Sequence, residues 1–209
     1  MLSVLSCTVL ACKLPGAELQ LVQKIGGPKA ATYGELTDIG FRQVFDDILK
    51  ESDSFVDLGS GTGKLVLQAA VEYGVEKSVG VELSETRHAK ALKARSSMPA
   101  HVQMATSFLC ADAAGDEAAA TLATATSVWV SNLCFDEAMQ HRLLACIEKS
   151  PSIQVVAALA AFPRSPCGFE LWGECVLAQT TWTNAIPSEL IASGALPGHP
   201  CVRYRRRSE

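Results

Sequence analysis

The chain has 209 residues, a formal net charge of −4 and 48% hydrophobic residues. That fits one domain of ordinary size with a full core, argues against an extended nucleic-acid-binding surface, and includes no run near the roughly 18 apolar residues of a membrane span. The eight cysteines contain no Cys-x-x-Cys pair and the four histidines are scattered, so the usual spacing of a zinc site is missing. Cys110, Cys134 and Cys146 lie in apolar runs, where a free thiol behaves as a small hydrophobe. This usage points to a reducing, intracellular compartment, nuclear or cytoplasmic, without a disulfide framework.

In chain order, residues 1–30 read as an N-terminal segment, helical or partly disordered, that ends at Gly26-Gly27-Pro28. Its first twelve residues are apolar but lack the basic region of a secretory signal, which favours a helix packed on the domain. The main domain then occupies 31–209. Ile39, Phe41, Val44, Phe45 and Ile48 predict a helix over Asp38–Lys50 with Thr37 or Asp38 as N-cap. A short buried strand follows at Ser54–Leu58. Next come a helix over Lys64–Tyr73 closed by Gly74, a strand at Lys77–Glu82 and a Ser84-capped helix from Glu85 to about Arg95. Further strands are predicted at Thr106–Cys110, Ser127–Ser131 and Ile153–Leu159, with an alanine-rich helix after Asp116 and another over Asp136–Lys149. This alternation predicts an α/β fold, a doubly wound, mostly parallel sheet with helices on both faces. After Pro166 the pattern changes: Phe169–Trp182 and Cys201–Arg206 read as an antiparallel pair at one sheet edge, joined by a long loop.

The most informative stretch is Asp57-Leu-Gly-Ser-Gly-Thr-Gly63, which lies between a strand and a helix, with Glu82 closing the next strand. Gly59 and Gly61 allow backbone to approach a ligand closely, and Gly63 allows the helix to pack tightly on the sheet. An acid at the end of the second strand suits two ribose hydroxyls. Dinucleotide sites instead use G-x-G-x-x-G and bury a pyrophosphate. Here the spacing is G-x-G-x-G, and the preceding Asp57 carboxylate would repel pyrophosphate. It suits a ligand with a cationic amino group, such as the methionine half of S-adenosyl-L-methionine. A P-loop is excluded because Lys64 is followed by Leu65. Asp112, after the third strand, is placed to accept from an adenine amino group, and Asn132 closes the fourth strand on the same rim.

Thr32-Tyr-Gly-Glu35, Val56-Asp-Leu-Gly-Ser-Gly-Thr-Gly63, Gly80-Val-Glu82 and Val130-Ser-Asn-Leu-Cys-Phe135 occur in that order. Together, and with Thr181-Trp-Thr183, they resemble the disruptor-of-telomeric-silencing family of histone lysine methyltransferases. Those are seven-stranded class I (Rossmann-like) methyltransferases, not SET-domain proteins. The resemblance runs over residues 30 to 183. It implies that Tyr33 and Glu35 cover the methionine end of the cofactor, that Asp57, Gly59, Ser60, Gly61 and Gly63 line it, that Glu82 binds ribose and Asp112 adenine. It places Asn132 beside the transferred methyl group at the mouth of a lysine channel, with Leu133 and Phe135 in its wall; Tyr33, Asn132 and Phe135 are thus the expected catalytic set. The implied partner is a protein substrate of histone type. Two departures stand out: Ser131 replaces the first of two family asparagines, and no tyrosine follows Thr183 before Tyr204. The long basic segment that holds nucleosomes is reduced to Arg203-Tyr-Arg-Arg-Arg207. The residues alone also accommodate a class I methyltransferase for a non-histone protein or small molecule, or a cofactor-binding module without catalysis.

Overall fold

A computed structural model describes residues 13–183 and 198–208. The apolar stretch 1–12, and most of the loop expected between the last strands, lie outside the described residues. Five parallel strands form the heart of the sheet: β1 (Ser54–Leu58), β2 (Lys77–Glu82), β3 (Thr106–Cys110), β4 (Ser127–Val130) and β5 (Val155–Ala158). β6 (Phe169–Leu171), β7 (Val176–Ala178) and β8 (His199–Arg206) complete it in the order β3-β2-β1-β4-β5-β8-β6, with β7 also on β8. The strand order reverses between β1 and β4, and a ligand crevice opens at the carboxyl ends there.

Among the described residues the sheet follows the expected order of seven strand positions, and an eighth short strand arises because its last edge is filled by two three-residue pieces. Phe169–Leu171 pairs with Tyr204–Arg206, and Val176–Ala178 pairs with His199–Cys201. Gly173, at φ +71°, lies in the interruption between them. The expected continuous strand to Trp182 therefore breaks, and Thr180–Thr183 forms a hydrogen-bonded turn.

Alternation sorts each strand between two cores. Val56, Leu58, Val79, Val81, Val128, Val130, Val156 and Ala158 face α6 (Asp116–Leu122) and α7 (Glu137–Glu148). Phe55, Trp129, Ala157 and Cys201 face α2 (Asp38–Phe45). On that same face Ser78 and Phe108 meet α3 (Lys64–Gln68), α4 (Glu85–Ser96) and α5 (Ala100–Ala105). α3 runs on into one π-helical turn, Ala69–Tyr73, and Gly74 closes it at φ +61°.

The caps expected at Thr37 and Ser84 form, and Asp136, read as the first residue of its helix, is a third. Thr37 accepts from Gly40 N–H, Ser84 from Arg87 N–H and Asp136 from Met139 N–H. α2 is shorter than its apolar pattern, ending at Phe45 before a turn that still buries Ile48 and Leu49. α1 (Gly16–Gly26) packs on the domain: Ile25 joins the core with α7, and Glu18 accepts from Thr86 N–H (3.0 Å) and both hydroxyls of Ser84 and Thr86.

The C-terminal arginines are taken up by the sheet edge. Arg203 pairs with Asp47 at 2.7 Å and stacks on Trp172; Arg205 pairs with Glu170 at 2.7 Å. Arg206 donates to Ile153 and Ser150 carbonyls and covers Phe169. Tyr204 is a core residue whose hydroxyl accepts from Phe162 N–H.

Candidate cofactor site

The glycine loop leaves β1 and is tied at once to its neighbour. Gly59 N–H and Ser60 N–H both donate to Val81 O, at 2.8 and 3.0 Å. Gly59, Gly61 and Gly63 all have positive φ (89°, 55° and 82°), which only glycine adopts without strain. At Gly63 a Cβ would also lie 2.5 Å from the Phe108 ring and 2.9 Å from Ala91. The helix–sheet contact predicted for Gly63 is thus a direct backbone approach.

Glu82 is 6% exposed and holds this loop from below. One carboxylate oxygen accepts from Gly61 N–H and the other from Ser84 N–H, both at 2.8 Å. The acid at the end of β2 therefore organises the loop and the start of α4.

Opposite the glycine loop, residues 31–36 form a second wall. Leu36 bridges to Thr180, Thr181 N–H donates to Glu35 O (2.9 Å), and Glu35 N–H donates to Thr181 Oγ1 (3.2 Å). Tyr33 Oη and Thr62 Oγ1, 3.0 Å apart, both donate to Glu35 Oε1, the second at 3.1 Å. Burial, and then the Glu35 charge, push the Tyr33 phenol far above its ordinary value. It is a neutral donor at all working pH values. Trp182 lies over Gly34, where a Cβ would come within 2.4 Å of its ring.

Between these walls is a cavity of about 340 Å³, lined by Tyr33, Glu35, Asp57, Gly59, Ser60, Gly61, Glu82, Arg87, Asp112, Ser131, Phe135 and Trp182 among others. Asp57 is 2% exposed, and its Oδ1 has no hydrogen-bond partner among the described residues. Burial first, then Glu82 and Glu35, raise its carboxyl well above the ordinary range. Ser60 Oγ is likewise buried without a partner. Ser54 Oγ, Gln68 Oε1 and Arg203 Nε are also unpartnered, away from the cavity; what sets Asp57 apart is that it is a carboxylate in the cavity wall, the costliest kind of group to leave unpaired.

The structure brings together Tyr33, Glu35, Asp57, Gly59, Ser60, Gly61 and Glu82 around the cavity; Gly63, expected with them, does not line it and instead packs against Phe108 and Ala91. It does not bring Asn132 to the cavity. Asn132 is fully buried on the other side of the strand end. Its Oδ1 accepts from Ala160 N–H and its Nδ2 donates to Ala160 O, both at 2.9 Å, with a further bond to Gln140 Oε1 at 3.1 Å. Trp129 and Ser131 line the cavity, but Asn132 opens a 3-10 turn, Asn132–Cys134, just beyond the end of β4, and its side chain turns to Ala160 and Gln140 instead. Ser131 holds the position expected of Asn132, and Phe135 and Leu133 do line the cavity beside it. Asn132→Ala would leave both backbone groups of the half-buried Ala160 without their partner. We expect it to lower stability by roughly 1–3 kcal/mol, read as a drop in the urea midpoint; an unchanged midpoint would contradict this placement.

Asp112 lines the cavity, but both its oxygens have protein partners. Oδ1 accepts from Ala114 N–H at 3.0 Å and Oδ2 pairs with Arg142. Sequence reasoning missed three contributors. Thr62, between two of the glycines, carries no signal of its own in the sequence. Trp182 was read as a strand residue. Arg87 resembles any solvated helix arginine, although it is 5% exposed; its one sequence signal is a cation in the first turn of a helix, where the dipole disfavours it.

The sheet order, the glycine loop at the reversal point and the antiparallel edge define a class I methyltransferase fold. An RNA methyltransferase from Salinibacter ruber, solved with S-adenosyl-L-homocysteine, superposes with a TM-score of 0.54 at 20% identity, covering 82% of this chain and 92% of that one. The methyltransferase domain of bacterial CtHen1 gives a TM-score of 0.56 at 13% identity, covering 82% of this chain and all of that one. The sequence profile described as "Histone methylation protein DOT1" matches residues 23–159, and the chain belongs to that family. Among curated relatives, the H3 lysine-79-specific histone-lysine N-methyltransferase of Eremothecium gossypii is 42% identical over 60 residues, 28% of this chain and 10% of that protein. Its Caenorhabditis elegans counterpart is 44% identical over 55 residues, 26% of this chain and 6% of that protein. The matched stretches are thus a tenth or less of those relatives' length.

Proposed function

We propose that the chain is an S-adenosyl-L-methionine-dependent methyltransferase whose acceptor is a protein lysine, with a histone as the substrate and the nucleus as the compartment. The observation that carries this reading is the cavity between the glycine loop and Tyr33–Glu35, with the unpartnered Asp57 carboxylate buried in its wall. A buried acid without a partner fits an ammonium donor far better than a phosphate. The family relationship and the fold support the same cofactor.

Asp57, Gly59, Ser60 and Gly61 would hold the amino-acid end of the cofactor, with Tyr33 and Glu35 across from them. Glu82 keeps unused lone pairs on both oxygens and would take the ribose. Asp112 would receive the adenine with its carboxylate already anchored by Arg142. The cofactor supplies an activated methyl group on a sulfonium. The chain's own contribution is alignment and exclusion of water. Phe135, Leu133 and Trp182 provide the apolar surface that favours the neutral form of an entering lysine, whose ordinary pKa is about 10.4. Ser131 replaces Asn132 in the role of polar contact at the point of transfer.

The test is methylation with isotopically labelled cofactor on free histones, nucleosomes and cell extract, read by mass spectrometry. The expected result is label on lysine side chains of a histone. Label confined to small molecules, or to other residue types, would overturn the acceptor assignment.

A further inference from the structure

Among the described residues, Arg87 is the one strongly buried arginine that lines the cavity. It stands in the first turn of α4, capped by Ser84. Two general effects oppose a cation there: burial of its charge and the positive end of the helix dipole. Glu18, at the same helix start, offsets them only in part, since its carboxylate is bonded to Ser84 and Thr86. Among the described residues the guanidinium forms no hydrogen bond or ion pair with a carboxylate. Nη2 donates to Ala31 O at 2.6 Å, the planar group stacks 4.9 Å from the Tyr33 ring centre, and Nε is buried without a partner. Both contacts fall on the segment that leads into Tyr33–Glu35. A residue that meets two unfavourable terms to reach that one segment serves the segment.

We propose that Arg87 latches the Tyr33–Glu35 wall over the cofactor cavity, as a positioning residue that sets the rate of cofactor release. Arg87 fixes the Tyr33 ring by stacking and the Ala31 carbonyl by a hydrogen bond. Tyr33 in turn holds Glu35, and Thr62 joins that wall to the glycine loop. The start of α4 therefore reaches the site along two routes: Ser84 through Glu82 to Gly61, and Arg87 through Tyr33 to Glu35.

This inference rests on the cofactor assignment above. The test uses the full chain and S-adenosyl-L-homocysteine, with Trp182 and Trp129 beside the cavity as a fluorescence signal. For Arg87→Met the dissociation rate should rise about tenfold or more, with the association rate and the binding stoichiometry unchanged. Arg87→Lys keeps a cation but not the planar stack, and should fall between the two. A merely structural role would lower the stoichiometry or the unfolding midpoint and leave the dissociation rate of the folded fraction alone; that result would overturn the latch. Failure of the unmodified chain to bind the ligand would overturn the cofactor assignment and the latch together. Binding by the unmodified chain with an unaltered rate in Arg87→Met would overturn the latch only.

Discussion

Asp57→Asn should abolish cofactor binding while making the free protein more stable. The Asp57 carboxylate is buried at the end of β1 without a partner on Oδ1, and Glu82 and Glu35 add like charge. Its pKa is therefore raised on folding from the ordinary 3.8. A raised folded value means that the carboxyl's contribution to stability is present below the unfolded pKa and is lost as pH rises through the folded one. Asparagine has nearly the same shape and no charge to desolvate. At neutral pH the variant should be more stable by roughly 1–3 kcal/mol, and the gain should shrink as the pH is lowered toward 4. Denaturation midpoints across pH check this. Affinity for S-adenosyl-L-homocysteine should fall about 100-fold or more, the loss of one buried charge-assisted contact. Higher stability with lower affinity is the mark of a functional group held against the fold's own preference. Lower stability at neutral pH would mean that Asp57 is a structural acid.

Gly63→Ala should be the most damaging small substitution in the loop. Gly63 has φ +82°, and its missing Cβ would sit 2.5 Å from Phe108 and 2.9 Å from Ala91. The left-handed backbone costs about 1–2 kcal/mol for alanine, and forcing an atom into that contact costs about 1–3 more. The sum is a large share of the ~5–15 kcal/mol that holds a domain together. Pairing the change with Phe108→Leu should recover part of the packing loss and none of the backbone strain. Full recovery, read from unfolding midpoints, would show that strain at Gly63 is negligible.

Much of the architecture was legible because local signals agreed. β1, β2 and β3 are apolar runs bounded by acids, glycines or caps, and they occupy the predicted residues. Ser84 and Asp136 cap the helices they precede. α5 went unread because Ala100–Ala105 runs into Thr106 of β3 without a breaker. The C-terminal edge looked like one strand because apolar residues recur on both sides of Gly173, while the chain there breaks between Leu171 and Val176. At the site, glycines and acids were readable because a ligand loop demands those residue types at fixed positions. Asn132 was misplaced because a motif gives order along the chain but not facing. The period-two rule carried from Trp129, which packs beside Phe45, puts Ser131 on the Asp57 side. Arg87 was invisible because its role depends on Ala31 and Tyr33, more than fifty residues earlier in sequence.

The central claim is that the cavity between Asp57, Glu82 and Tyr33 is a cofactor site. Isothermal titration of the chain with S-adenosyl-L-homocysteine tests it most directly. One molecule bound per chain, lost in Asp57→Asn and not displaced by a nicotinamide dinucleotide, is the predicted result; no heat of binding, or preference for the dinucleotide, would contradict it.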